Sequence, residues 1–216
     1  IEGSPLKITN PKVIISMLTF NLKRTSRLFF IVIIFLFMKV VPLKGHEMSP
    51  SILDLTINPN VVQLKIRFSI EAMLAEIDLS EVSDTNLSEN AIKYDELRNF
   101  TPNQIKNIFG KRWPNLSKDI ELIQSGRVVE LIYQDLTVPD VGNTELTRIS
   151  HLYLEAKIEK DEPIVFSWNA NFGPIVVRHV GVDNGLSQFL ANGDESDEMY
   201  FQGSMKKVKF KLFLTI

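Results

Sequence analysis

The sequence contains no cysteine among its 216 residues. A disulfide framework, a thiolate nucleophile and a cysteine-based zinc site are therefore excluded. Two further patterns are missing: the Gly-x-Ser-x-Gly turn that exposes a nucleophilic serine, and the glycine-rich loop that holds phosphate groups. A hydrolase is consequently the least favoured class of function, because no pattern in the sequence supplies its catalytic residues.

Basic residues are scarce in the middle of the chain. Residues 46–193 carry 13 Lys and Arg against 21 Asp and Glu, whereas residues 1–45 carry seven basic residues and one acidic residue. Proteins that bind nucleic acid gain affinity by neutralising phosphates with Lys and Arg. The net charge of -8 in the middle therefore argues against a nucleic-acid partner and favours cations or basic proteins.

The longest uninterrupted apolar run lies near the start of the chain. Residues 28–38 are eleven consecutive apolar residues, and the basic residues Lys23, Arg24 and Arg27 precede them. A basic region followed by about 7–15 apolar residues is typical of a secretory signal, whereas a membrane-spanning helix needs about 20. The run therefore indicates export.

Two outcomes of this export segment remain open. We predict a signal peptide over residues 17–45 that is cleaved after Gly45, or an uncleaved anchor that associates with the membrane through residues 28–43. Residues 1–16 precede the methionine at which the signal begins, and we interpret them as an upstream or vector-like extension.

After position 46 the dominant pattern is an alternation of apolar and polar residues. It is clearest over residues 62–70, where every even-numbered residue is apolar. The odd-numbered residues from 63 to Glu71 are polar, so the pattern predicts a strand with one face on a core and the other in water. Shorter runs of this kind lie at residues 52–57, 128–138, 149–158, 164–168 and 175–180. Six strands separated by turn-rich segments predict a mainly β fold, an antiparallel β-sandwich over residues 46–193.

A helical insertion is predicted at residues 84–118. Thr101 is an N-cap residue followed by proline, and Gln104 completes a capping box with it. Gly110 is a natural helix stop. The two short helices are predicted at residues 88–99 and 102–109.

Four strings of the sequence resemble one known family. They are HEMSPSILDLT at 46–56, FSIEAMLAEIDLS at 68–80, LTVPDVGNTELTR at 136–148 and FGPIVVRHVG at 172–181. We call them, in this order, the first, second, third and fourth string. Together they resemble the N-terminal extracytoplasmic domain of bacterial membrane proteins of the HupE/UreJ family. In that family a signal peptide ends before a His-Glu pair, a sandwich domain follows, and membrane helices come after it; its members are associated with nickel uptake for hydrogenase and urease.

The resemblance implies a location and a role. We expect an exported domain, periplasmic or anchored in the inner membrane and facing the periplasm, that is not an enzyme and that assists transport or binds a membrane-protein partner. The family's membrane spans would follow Gly193, but residues 194–216 contain none, so no transport residue is carried over. We interpret this tail as a linker followed by an edge strand, in which lysines alternate with apolar residues.

Three histidines are present, and two of them suggest a metal site. If cleavage follows Gly45, the free amine and the imidazole of His46 can chelate nickel or copper together, and His179 would complete the site. The alternation of its strand predicts that His179 is buried, while His151 is predicted to face solvent. The competing interpretation is an ordinary N-terminus and two structural histidines, because no close pair of metal ligands is present.

Overall fold

The computed structural model describes residues 48–183 and 185–201, so the predicted signal peptide or anchor lies outside the described residues. Two sheets and three α-helices make up the described chain, and strand exceeds helix, which confirms a mainly β domain. The strands are β1 (Ser51–Asn58), β2 (Val61–Phe68), β3 (Ile120–Gln124), β4 (Arg127–Val129), β5 (Ile132–Thr137), β6 (Ser150–Lys157), β7 (Ile164–Trp168), β8 (Ile175–His179) and β9 (Ser187–Leu190). The helices are α1 (Ile70–Ala75), α2 (Ala91–Arg98) and α3 (Pro102–Leu116).

The larger sheet has six strands in the order β5-β6-β2-β1-β8-β9. Its centre is the β1–β2 hairpin, in which Leu55 lies opposite Leu64 and both side chains are buried. Alternate residues of β1, β2 and β6 are buried, so one face of the sheet lies on the core and the other is polar. Strands β4, β3 and β7 form the smaller sheet.

One strand pair differs from the antiparallel prediction. Strands β1 and β8 are parallel, with Ser51 opposite Ile175 and Leu55 opposite His179. Parallel neighbours need a long connection, and here the helices and the smaller sheet lie between the two strands in sequence. The alternation of polar and apolar residues gives the faces of a strand but not its direction, which is why the sequence did not predict this pair.

The strand predicted over residues 62–70 ends earlier, at Phe68. Ser69 is the N-cap of α1, and its side chain accepts a hydrogen bond from the backbone N–H of Ala72. Every residue of α1 is buried, including Glu71, which the sequence placed in water. The prediction failed because the alternating pattern happens to continue into a short helix that lies inside the core.

The two-helix insertion is confirmed, with one correction. Helix α2 lies within the predicted bounds, and Thr101 and Gln104 form the predicted capping box at the start of α3. Helix α3 does not stop at Gly110 but continues to Leu116, because its buried face extends past the glycine from Ile105 and Phe109. Within residues 48–183 and 185–201, none of the helices has the length and hydrophobicity of a bilayer-spanning segment.

The predicted strand at residues 128–138 is two strands that belong to different sheets, β4 and β5. Strands β3 and β9 were not predicted. Past Gly193, Met199 is buried and pairs with Ile164 at the edge of β7, so the packed part of the described chain continues beyond the predicted domain boundary.

Candidate binding cleft

The first to the fourth string form two contacting pairs. The first and fourth strings lie side by side because they contain β1 and β8, and Nε of Arg178 donates to Oδ1 of Asp54 across 2.7 Å. The second and third strings are joined by a buried ion pair, in which Nε of Arg148 donates to Oε1 of Glu71 across 2.6 Å. Segments far apart in sequence are therefore neighbours in the fold.

A cleft of about 380 Å³ lies where the first, second and fourth strings meet. Its lining is mainly apolar, with two methionines and four aromatic residues. These are Met48, Met73, Phe68, Trp168, Phe172 and Phe189. Apolar and aromatic walls with a few polar groups are typical of ligand sites, so this cleft is the candidate functional site.

The wall formed by the fourth string depends on Gly173. Its φ is +78°, and a Cβ atom at this position would lie 2.8 Å from Cβ of Leu79. The backbone N–H of Leu79 donates to the carbonyl of Asn171 across 2.9 Å, and Nε1 of Trp168 donates to the carbonyl of Gly173 across 2.9 Å. The close approach of the two loops, which only glycine permits, therefore fixes this side of the cleft.

The wall formed by the first string begins at Met48. Its backbone N–H donates to the carbonyl of Ser83 across 3.0 Å. Its sulfur accepts from the Tyr94 hydroxyl at 4.0 Å and from the Thr147 hydroxyl at 3.9 Å. Met48 thus connects the cleft to α2 through Tyr94 and to the third string through Thr147.

The cleft contains few polar groups. Serine hydroxyls occur on several sides of the lining, and Glu81 is the one ionisable residue among the described residues that line the cleft. What the cleft offers is an apolar surface, hydroxyls for hydrogen bonds and one negative charge.

The buried ion pair lies outside the cleft lining. Arg148 also donates from Nη1 to the carbonyl of Phe100 across 2.9 Å and from Nη2 to that of Leu97 across 3.4 Å. Burial raises the pKa of Glu71, although Arg148 opposes this effect. Oε2 of Glu71 has no hydrogen-bond partner among the described residues. The pair therefore ties the third string to α1 and to the end of α2.

The structure places His179 as the alternation predicted and leaves its metal role untested. His179 is 9% exposed, its Nε2 has no hydrogen-bond partner within the described chain, and burial lowers its pKa. Ser51, at the start of β1, is paired with Ile175 of β8. Ile175 precedes His179 by four residues, so Ser51 and His179 lie about 13 Å apart along the sheet. His46 lies outside the described residues.

His151 lies on the polar face of the larger sheet, where the sequence placed it. It is half-buried, and burial together with Lys65 and Arg67 lowers its pKa. No group of three His, Asp or Glu side chains suited to a metal ion occurs in residues 48–183 and 185–201. Nickel or copper binding therefore stays a prediction that depends on His46.

The sequence of this chain matches no protein-family model and no curated protein. The resemblance to the HupE/UreJ family accordingly stays a prediction based on the four strings.

The sequence did not predict the cleft, although three of the four strings line it. The available signal was the shared resemblance of those strings, but their meeting point depends on the parallel β1–β8 pair, which periodicity does not reveal.

Proposed function

We propose that this chain is the exported, non-enzymatic domain of a HupE/UreJ-like membrane protein, a β-sandwich whose cleft binds an apolar segment of a membrane-protein partner. The observation that carries the proposal is the cleft of about 380 Å³, lined by three of the four resembling strings and walled by aromatic and thioether side chains. Cavities of about 300–1,000 Å³ with such walls are the usual size and character of ligand sites.

The export segment supports the location. Basic residues followed by the apolar run at 28–38 favour delivery to the periplasm, either free after cleavage or anchored in the inner membrane. The test is expression of the full chain in a Gram-negative bacterium, followed by protease treatment of spheroplasts and carbonate extraction of membranes. Protection from protease in intact spheroplasts would contradict export, and carbonate extraction separates the cleaved form from the anchored form.

The cleft is tested with a peptide probe. A fluorescein-labelled peptide containing Leu-Phe-Val between glycine and serine residues is titrated with the protein, and anisotropy is measured. We expect Phe189→Ser to weaken binding by about 10-fold, because Phe189 is 58% exposed in the lining and its loss removes apolar contact area.

The matched control is Val128→Ser. Val128 is 63% exposed on β4 and does not line the cleft, so this variant should bind the peptide like the parent. Equal weakening by both substitutions, or no binding of the peptide by the parent, would count against the cleft as the binding site.

A second candidate function is metal binding through the N-terminus. The observation that favours it is the buried His179, whose Nε2 has no partner among the described residues. Nickel and copper binding is measured by calorimetry on a chain that begins at His46, with His46→Ala and His179→Gln for comparison. Unchanged affinity in His46→Ala, or no binding by the parent, eliminates this candidate.

A further inference from the structure

We propose that the cleft recognises a basic side chain next to the apolar residues of its peptide ligand, and that Glu81 binds this side chain. The inference rests on the proposed function and adds the chemistry of the partner. Glu81 is exposed and is the one charged residue among the described residues that line the cleft. A carboxylate at the rim of an apolar cleft is suited to a lysine or an arginine whose aliphatic stem lies on the aromatic wall.

The carboxylate of Glu81 is not engaged by the described residues around it. Its neighbours in the same loop are engaged: Asp78 accepts hydrogen bonds from Ser80, and Glu76 is paired with Lys93 and Arg112. Glu81 makes no side-chain hydrogen bond or ion pair with another residue in the described part of the chain.

The backbone at Glu81 is held by hydrogen bonds within its turn. The backbone N–H of Glu81 donates to the carbonyl of Asp78 across 3.3 Å, and the next N–H, of Val82, donates to the same carbonyl across 3.2 Å. Leu79 holds this turn against the loop of Gly173. An ordered turn lowers the entropy that a rim residue loses on binding.

Acidic residues predominate in the segment that carries Glu81, and the basic residues beside it, Lys93 and Arg112, are paired with Glu76. Residues 72–92 contain five acidic residues and no Lys or Arg, within a body whose net charge is -8. Such a field attracts a basic ligand and repels an acidic one. The charge of the protein and the position of Glu81 therefore select the same class of partner.

The ligand is a peptide segment. Hydroxyls of Ser49, Ser51 and Ser83 line the same cleft and can exchange hydrogen bonds with a peptide backbone. A lipid chain has no polar group that would use these hydroxyls. The partner we infer is a segment of a membrane protein in which a lysine or arginine is flanked by apolar residues.

The test compares three labelled peptides that differ at one position: Gly-Ser-Leu-X-Phe-Val-Ser-Gly with X as lysine, norleucine or glutamate. In the parent protein we expect the lysine peptide to bind about 3- to 10-fold more tightly than the norleucine peptide, and this preference should shrink as salt is added. Glu81→Gln should remove the preference while binding the norleucine peptide like the parent. Glu81→Lys should prefer the glutamate peptide.

The control is Glu89→Gln, which removes the same charge from the loop at a residue that does not line the cleft. A preference that persists in Glu81→Gln, or that is lost equally in Glu89→Gln, overturns the role of Glu81 and leaves cleft binding intact. Binding of dodecylphosphocholine that depends on Glu81, with no preference among the peptides, overturns the peptide assignment. If none of the peptides binds the parent, the proposed function fails together with this inference.

Discussion

Arg148 and Glu71 form an ion pair inside the core: the side chain of Glu71 is 0% exposed and that of Arg148 is 8% exposed. The pair connects α1 to the loop before β6. The other guanidinium hydrogen bonds go to the backbone carbonyls of Leu97, in the last turn of α2, and of Phe100 and Pro139. A charge pair this deep costs desolvation, and the cost is offset only when both partners are present.

Removal of one partner should be far more damaging than removal of both. We expect Arg148→Met to lower the free energy of unfolding by about 3–5 kcal/mol, because it leaves a buried carboxylate without a counter-charge. The double variant Glu71→Leu/Arg148→Met should recover part of this loss. Urea denaturation of the parent, both single variants and the double variant measures the coupling. Strictly additive effects would show that the two side chains do not act as a pair.

The raised pKa of Glu71 predicts a pH dependence of stability. Burial raises this pKa above the ordinary value of 4.5, so between the two pKa values the folded protein binds more protons at Glu71 than the unfolded chain does. The contribution of Glu71 to the free energy of unfolding is therefore largest at low pH, and it is lost as pH rises through the pKa of Glu71 in the folded protein. Relative to Glu71→Gln, the parent should lose stability on going from pH 4 upward.

Urea denaturation at intervals of half a pH unit checks this dependence, and taking the difference between parent and variant removes titrations that both share. A difference that stays constant with pH, or that grows in favour of the parent as pH rises, would contradict the raised pKa of Glu71.

Glycines at two positions should respond in opposite directions to alanine. Gly173→Ala should destabilise the fold by about 1–3 kcal/mol, because its positive φ is strained for alanine and the new Cβ atom would meet Leu79 at 2.8 Å. Gly110→Ala should stabilise it by about 0.5–1 kcal/mol, since α3 continues through this residue and a Cβ atom would meet nothing within 4 Å. Thermal unfolding of both variants measures the contrast. Similar losses in both would contradict this account of the 173 loop.

The sequence predicted those strands and helices that depend on patterns among neighbouring residues. The alternation over β1, β2 and β6 gave strands with the correct buried face, and the Thr101–Gln104 capping box marked the start of α3. The prediction that the helix ends at Gly110 was wrong, because glycine is tolerated inside a helix when the flanking turns bury apolar residues. The prediction that Glu71 faces water was wrong, because its ion-pair partner, Arg148, is 77 residues away in sequence.

The candidate site was less predictable for a related reason. The burial of His179 followed from its parity with Ile175 and Val177 on one strand, and the structure confirms it. The cleft requires the parallel pairing of β1 with β8 and the approach of Leu79 to Gly173. Those contacts join segments about a hundred residues apart, and no periodicity within one segment encodes them.

His179 should make the protein less stable in mild acid. Burial lowers its pKa below the ordinary value of 6.5, so the unfolded chain binds the proton more readily, and the stability due to neutral His179 is lost as pH falls from 6.5 towards the folded pKa. His179→Leu should remove this loss, so its stability relative to the parent should improve as pH falls. His151→Gln is the control: the pKa of His151 is lowered too, but its side chain is only half-buried, and the change should be smaller. Urea denaturation from pH 7.5 to 5 measures both differences. A profile of His179→Leu that runs parallel to the parent would mean that His179 does not titrate differently in the folded and unfolded states.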